Sequence, residues 1–212
     1  MTEILSTIST MVIEGNFADM VDKTNAALEE GLAAEDILNK GLMPGMDHVG
    51  VEFKAGNMFV PEVLRSAKAM QEAMNIIRPL LAEADAETSG KVLLGTVKGD
   101  LHDIGKNLVG MMCEGAGFEV VDLGKDVEPE TFVEAVKEHK PTILGMSALL
   151  TTTMNNMKSV IEAAEEAGIK DSVKIVIGGA PVTDEFAQQI GADGFAPDAS
   201  SAVRLVQGLV GA

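Results

Sequence analysis

One stretch decides the fold: Val92-Leu93-Leu94-Gly95-Thr96-Val97-Lys98-Gly99-Asp100-Leu101-His102-Asp103-Ile104-Gly105-Lys106-Asn107. Residues 92–97 are a short apolar run of the kind that forms a strand buried on both faces. A polar, glycine-containing turn follows, and from Lys106 to about residue 116 the apolar spacing becomes helical. The alternation repeats downstream. Apolar runs at 118–123, 143–146 and 173–177, with a weak fifth at 194–196, are separated by helical stretches at about 129–139, 152–167, 182–190 and 200–210. Strands alternating with helices imply right-handed crossovers and a parallel sheet covered on both faces. The expectation is an α/β fold with a flavodoxin-like or Rossmann-like five-stranded sheet over residues 91–212. Its ligand site belongs at the carboxyl ends of the strands, so function is sought in the loops that follow them.

Upstream the period is helical. Ile4, Ile8, Met11 and Val12 share one face, and Phe17, Met20, Val21, Thr24 and Leu28 share a second. Residues 33–53 read as a third helix in which Pro44 predicts a kink or a break. In the fourth, Val63, Ala67, Met70, Met74, Ile77 and Leu81 step by four and three, a seam suited to bundle packing. Residues 1–87 are therefore expected to form a four-helix bundle, joined to the sheet domain by a linker at 86–90.

Composition excludes several classes. Of 212 residues 46% are hydrophobic and 23% charged, a globular balance. Acids outnumber bases 33 to 16, for a formal charge of −17, which argues against a nucleic-acid face and an anionic membrane surface. One cysteine forbids a disulfide framework, and three histidines leave little for an all-histidine metal site. The N-terminus is acidic where a signal peptide would be basic, and no apolar run approaches eighteen residues. The expectation is a soluble, cytoplasmic protein with no nucleic-acid or membrane partner. It contains no Trp and no Tyr.

The loop after the first strand resembles a phosphate-binding loop only superficially. Five residues rather than four separate Gly99 from Gly105, and Asn107 stands where a Ser or Thr would hold magnesium. No G-x-G-x-x-G follows the strand. What the loop offers is Asp100-x-His102, in which a carboxylate can accept from one ring nitrogen and leave the other free for a metal. The loop after the third strand, Ser147-Ala148-Leu149-Leu150-Thr151-Thr152-Thr153, clusters hydroxyls, and the loop after the fourth carries Gly178-Gly179. Singly, these are equally a surface histidine beside an acid, a helix cap and a turn. Together they place D-x-H-x-x-G, S-x-L and G-G on loops at one end of the sheet.

That constellation resembles the corrinoid proteins of bacterial and archaeal methyltransferase systems, and the cobalamin-binding module of methionine synthase. The resemblance extends to the helical half, where Gly50-Val51-Glu52-Phe53-Lys54-Ala55-Gly56-Asn57-Met58-Phe59-Val60-Pro61 is similar to the family's cap motif.

The resemblance implies a cobalamin cofactor, cycling between methylcob(III)alamin and cob(I)alamin forms or those of a related corrinoid. It makes His102 the lower axial ligand of cobalt, with Asp100 hydrogen-bonded to it and Thr153 in the place of the family's serine, the third member of the relay. The cofactor's own base is displaced, and its nucleotide tail enters the sheet domain beside Gly178 and Gly179, against Ser147 and Leu149. Gly99, Leu101, Asp103, Ile104, Gly105, Thr151 and Ala199 complete the expected binding set. Phe53 and Val60 are the expected cap over the reactive face, with bundle core as the alternative reading. The implied function is a methyl carrier with no complete active site of its own. Its implied partners are a substrate:corrinoid methyltransferase, a corrinoid:tetrahydrofolate or corrinoid:coenzyme M methyltransferase, and a reductive activase. The alternative is a cobalamin-dependent sensor. His48, His139 and Cys113 receive no functional role.

Overall fold

The computed structural model describes residues 3–83 and 90–211. The chain divides into two compact units, the first Met1–Thr88 with Glu114–Gly117, the second Ser89–Cys113 with Phe118–Ala212. The expected linker at 86–90 lies, but for Gly90, outside the described residues.

The first unit is helical: α1 (Glu3–Glu14), α2 (Met20–Glu29), α3 (Ala34–Asp36), a π-helical turn (Ile37–Leu42), α4 (Met43–Ala55) and α5 (Val60–Glu83). The fourth expected helix holds residue by residue, since Val63, Ala67, Met70, Met74, Ile77 and Leu81 are all buried on α5. The second does not hold throughout. It starts at Met20 rather than Phe17, Val21 is exposed, and its inward positions are Met20, Thr24 and Ala27. Thr24 is tolerated there because its hydroxyl donates to the Met20 carbonyl at 2.8 Å. At Pro44 the expected break is replaced by a change of helical pitch. The π-helical turn ends two residues before the proline, which then occupies the first turn of α4.

The second unit is a five-stranded parallel sheet of order β2-β1-β3-β4-β5, with β1 Lys91–Thr96, β2 Glu119–Asp122, β3 Ile143–Ser147, β4 Lys174–Gly178 and β5 Gly194–Ala196. This is the flavodoxin-like order. Between the strands lie α6 (Ile104–Gly115), α7 (Pro129–His139), α8 (Asn156–Glu166) and α9 (Asp184–Ile190), and α10 (Ala199–Val210) follows the last. Leu93, Leu144 and Ile175 are in register and point to one face. They pack with Phe132 and Val136 of α7, Met157 and Ile161 of α8 and Ile190 of α9 into a closed core. The alternate residues Val92, Leu94, Ile143 and Val176 face the other way. That face is not closed.

Candidate functional site

The chain leaves β1 toward β2 on one side and later returns to pair β3 on the other. The loops after β1 and β3 therefore meet at the point where the strand order reverses, which is where open α/β sheets bind ligands.

At that point Asp100 is fully buried, yet its carboxylate meets five donors. One oxygen accepts from the His102 backbone N–H at 3.1 Å and from His102 Nδ1 at 2.8 Å. The other accepts from the backbone N–H groups of Leu149 and Leu150 at 2.8 and 3.2 Å and from Thr153 Oγ1 at 2.6 Å. Burial alone would push the Asp100 carboxyl upward. The bonds from Thr153, His102 and Leu149 outweigh it and hold the group well below the usual carboxylate range. An ionised carboxylate can only accept, so Nδ1 of His102 carries the ring proton and Nε2 keeps its lone pair. The His102 side chain is 52% exposed while its carboxylate partner is buried. The imidazole is thus fixed in tautomer and direction, with Nε2 free to take a ligand.

The turn that presents this pair is held from behind. Asp126, whose φ of 56° lies in the left-handed region, accepts from the Gly99 N–H at 2.7 Å and donates its own N–H to the Asp100 carbonyl at 3.1 Å. Asn156 donates to the Lys98 carbonyl at 2.7 Å, and Thr96 donates to the His102 carbonyl at 3.1 Å while sharing a hydrogen bond with Ser147. Lys106, its side chain buried, donates to Asp122 and to Asn107, tying the start of α6 to the end of β2.

Below His102, on the open face of the sheet, a slot of about 540 Å³ runs down β1, β3 and β4 between α6 and α10. At its mouth are His102, Ser147, Gly178 and Gly179, and at its floor Val92, Ile143 and Val206. From Ser147 to Ile143 is four strand steps, or roughly 13 Å at about 3.3 Å each. Gly179 has a φ of +131°, and a Cβ there would sit 1.8 Å from the Ala148 carbonyl oxygen, so only glycine fits. Around the mouth the apolar side chains of Ile104 and Leu101 are 77% and 63% exposed, and Leu149 and Leu150 are exposed beside them. An apolar rim around an accessible imidazole is a surface left for a ligand to cover.

Most of the expected site residues come together. Leu101, His102, Asp103, Ile104 and Gly105 line the slot from one side, and Ser147, Leu149, Gly178, Gly179 and Ala199 from the others. Asp100 and Thr153 lie behind the imidazole, and Gly99 forms the turn with a φ of +78°. The methyl group of Thr153 is 3.5 Å from where a Gly99 Cβ would stand, so the extra carbon has found room. Thr151 is exposed and takes no part in the carboxylate network. Phe53 and Val60 belong to the helical unit, at the last turn of α4 and the first residue of α5, half-buried and exposed respectively. The expected set lacks Thr96, Asp126, Lys106 and the backbone N–H of Leu150. Lys106 and Thr96 could have been suspected, as polar residues within apolar spacing. Nothing in the sequence singles out Asp126.

A carboxylate-anchored imidazole over an apolar slot at the switch point of a flavodoxin-like sheet is the arrangement of a cofactor-binding protein, with one side-chain nitrogen able to take a metal that the cofactor brings. Comparison with known proteins gives that class its family. The B12 binding domain family matches residues 90–206, and a second family described as a B12 binding domain matches residues 4–78. A corrinoid protein of Desulfitobacterium hafniense is 40% identical over 98% of both chains, and a trimethylamine corrinoid protein of Methanosarcina barkeri is 45% identical over 86% of this chain and 85% of its own. Among solved structures, the methanol:cobalamin methyltransferase complex from Methanosarcina barkeri superposes with a TM-score of 0.87 at 34% identity, covering 99% of this chain and 80% of that one. A cobalamin-binding protein from Desulfitobacterium hafniense superposes at 0.80 with 33% identity over 97% and 98%. The chain belongs to the B12-binding family of corrinoid proteins, and its cofactor is a cobalamin. The geometry fits that group, since one exposed nitrogen suffices for a metal whose other ligands the macrocycle brings, and the slot beneath is long enough for an appended tail.

Proposed function

We propose that this chain carries a methyl group on cobalamin between two methyltransferases, with His102 as the lower ligand of cobalt. The observation that supports this most directly is the exposed imidazole whose Nδ1 is committed to the buried Asp100. When bound, cobalamin supplies a cobalt that accepts and gives up a methyl group. The protein's own part is to hold and orient. Asp100 fixes the ring tautomer, Thr153 and the Leu149 and Leu150 N–H groups fix Asp100, and the slot takes the nucleotide tail. Asp100, His102 and Thr153 are the relay. Gly99, Leu101, Asp103, Ile104, Gly105, Ser147, Leu149, Thr151, Gly178, Gly179 and Ala199 form the binding surface. Phe53 and Val60 are the cap over the reactive face.

A methyltransferase is the partner class, as in the methanol:cobalamin methyltransferase complex of the relative. One such partner loads the methyl group and a second passes it to tetrahydrofolate or coenzyme M, with a reductive activase restoring the carrier. Relatives 44–45% identical bear the names trimethylamine and dimethylamine corrinoid protein, so methylamine-specific donors are the first to test. Among the described residues no helix is long and apolar enough to cross a membrane, and we place the carrier in the cytoplasm.

Reconstitution with cobalamin tests the reading. The Co(II) form of ¹⁵N-labelled protein should show hyperfine coupling to a protein nitrogen by electron paramagnetic resonance, and His102→Ala should abolish it. A spectrum unchanged by labelling and by the substitution refutes the ligand assignment. Failure of any donor methyltransferase to methylate the reduced, reconstituted protein refutes the carrier role.

A further inference from the structure

The slot is polar at one end and apolar at the other. Its polar side chains are His102, Asp103, Lys106, Ser147 and Asp198, and all belong to its upper part. Most are already committed: Lys106 to Asp122 and Asn107, Ser147 to Thr96, and Asp198 to the N–H and hydroxyl of Ser201 at the start of α10. Below Ser147 the wall is Val92, Leu94, Ile143, Val176, Ala202 and Val206. Their backbone groups are spent in the sheet ladder and in α10. Among the described residues, a ligand group lodged in this lower half meets hydrocarbon and no side chain that can donate or accept.

From this we infer that the slot selects among cobamides by the base of their nucleotide tail, accepting an alkylbenzimidazole and rejecting a purine. The inference rests on the reading above that the tail enters the slot. A dimethylbenzimidazole presents methyl groups and ring edges to Val92, Ile143 and Val206. An adenine of similar size presents an amino group and additional ring nitrogens, each of which loses its water and finds no partner. Each such group costs on the order of tenfold to hundredfold in affinity. Packing cannot recover this, because purine and benzimidazole fill nearly the same volume. Discrimination arises from what the wall lacks, and because the unpaired groups belong to the ligand and not to the site, it is expected to stay within about a hundredfold.

The test is equilibrium dialysis of the full-length apoprotein against three corrinoids: cobalamin, its adenine-tailed analogue, and cobinamide, which has no nucleotide tail. Bound corrinoid is read by visible absorbance, to which the chain contributes nothing. The expected order is cobalamin tightest, with the adenine analogue at least tenfold weaker. Val206→Thr, which sets a hydroxyl at the slot floor with little change in shape, should narrow that ratio severalfold. Equal affinity for the two tailed corrinoids overturns the selectivity while leaving the cobalamin reading intact. A ratio unmoved in a Val206→Thr protein with native circular dichroism overturns the placement of the base in the lower half. Cobinamide binding as tightly as cobalamin shows that the tail contributes nothing and removes the premise. No binding of any of the three refutes the proposed function itself.

Discussion

Asp100→Asn should reverse the tautomer of His102, the proposed cobalt ligand, without changing the shape of the site. One carboxylate oxygen meets three donors, from Leu149, Leu150 and Thr153, and the other meets two, both from His102. The asparagine oxygen settles where three donors converge, so its NH₂ group faces the imidazole. A donor cannot face Nδ1–H. The ring proton moves to Nε2, Nδ1 becomes the acceptor, and the nitrogen that should bind cobalt is blocked. The His102 backbone N–H, now opposite a second donor, stays unpaired. Three charge-assisted bonds become neutral ones and one part-buried donor is orphaned, a loss of about 2–4 kcal/mol allowing for non-additivity. For a chain of this length that lowers the melting temperature by roughly 10 °C. Apoprotein unfolding is followed by far-ultraviolet circular dichroism, since there is no Trp or Tyr to fluoresce. The reconstituted Co(II) protein is then examined for nitrogen hyperfine coupling. An Asn variant within about 0.5 kcal/mol of the parent, with the coupling intact, would refute the tautomer argument.

Thr153→Ala should cost about 1–2 kcal/mol by the same unfolding assay, and Thr153→Ser should stay within about 0.5 kcal/mol, because only the hydroxyl reaches Asp100. Gly179→Ala should abolish cobalamin binding in dialysis, since its Cβ can be housed only by moving the Ala148 carbonyl at the slot mouth. Asp126→Gly permits the left-handed backbone but deletes the acceptor for Gly99, whereas Asp126→Asn keeps both; the first should broaden or split the Co(II) nitrogen signal and the second should restore it. In acid, two carboxylates act together. Burial raises Asp193, but bonds from the Ile175 N–H, Lys170 and Lys174 outweigh it and lower its pKa, as Asp100 is lowered. The unfolded chain, with aspartates near 3.9, then binds more protons than the folded one, so their stabilisation is complete above about pH 5 and is lost progressively as the pH falls through the lowered folded-state values. Asp193→Asn should flatten that acid slope in circular-dichroism titrations.

The strands were legible because a parallel sheet buried on both faces leaves continuous apolar runs, and even the weak run at 194–196 coincides with β5. The α5 seam was legible for the corresponding helical reason. Val21 misled because a valine fits an apolar stripe in sequence, while the buried face of the helix runs through Met20, Thr24 and Ala27, the last a residue with too little side chain to register. The D-x-H pair, the S-x-L loop and the glycine pair could be seen because each puts chemistry on side chains or on a missing Cβ. Two of the five donors to Asp100 could not be seen so. The N–H groups of Leu149 and Leu150 belong to every residue type, and only the register of β3 against β1 brings them to the carboxylate. Asp126 was hidden for a related reason, since its partner lies 27 residues away and its role depends on a left-handed backbone that aspartate adopts only where tertiary contacts demand it.

The two faces of the sheet show how one strand sequence serves stability and binding at once. Along β3 the alternation assigns Leu144 to the closed core and Ile143 and Gly145 to the slot, so neighbouring residues answer to different demands. On the core face large side chains interdigitate with α7, α8 and α9. On the slot face the opposing helix α10 presents Ala199, Ala202 and Val206, residues too short to bridge the gap to the strands. The space is therefore specified by small residues on a helix whose partner strands are ordinary, and filling it needs only longer side chains on α10. The imidazole loop carries the opposite design. Asp100, Thr153, Asp126, Asn156 and Thr96 spend their hydrogen bonds on one another and on its backbone, so that a single nitrogen remains unspent. Under the proposed function, a fixed imidazole above an apolar slot would let the protein set the metal's position while the slot supplies affinity, and the two could be altered separately by mutation.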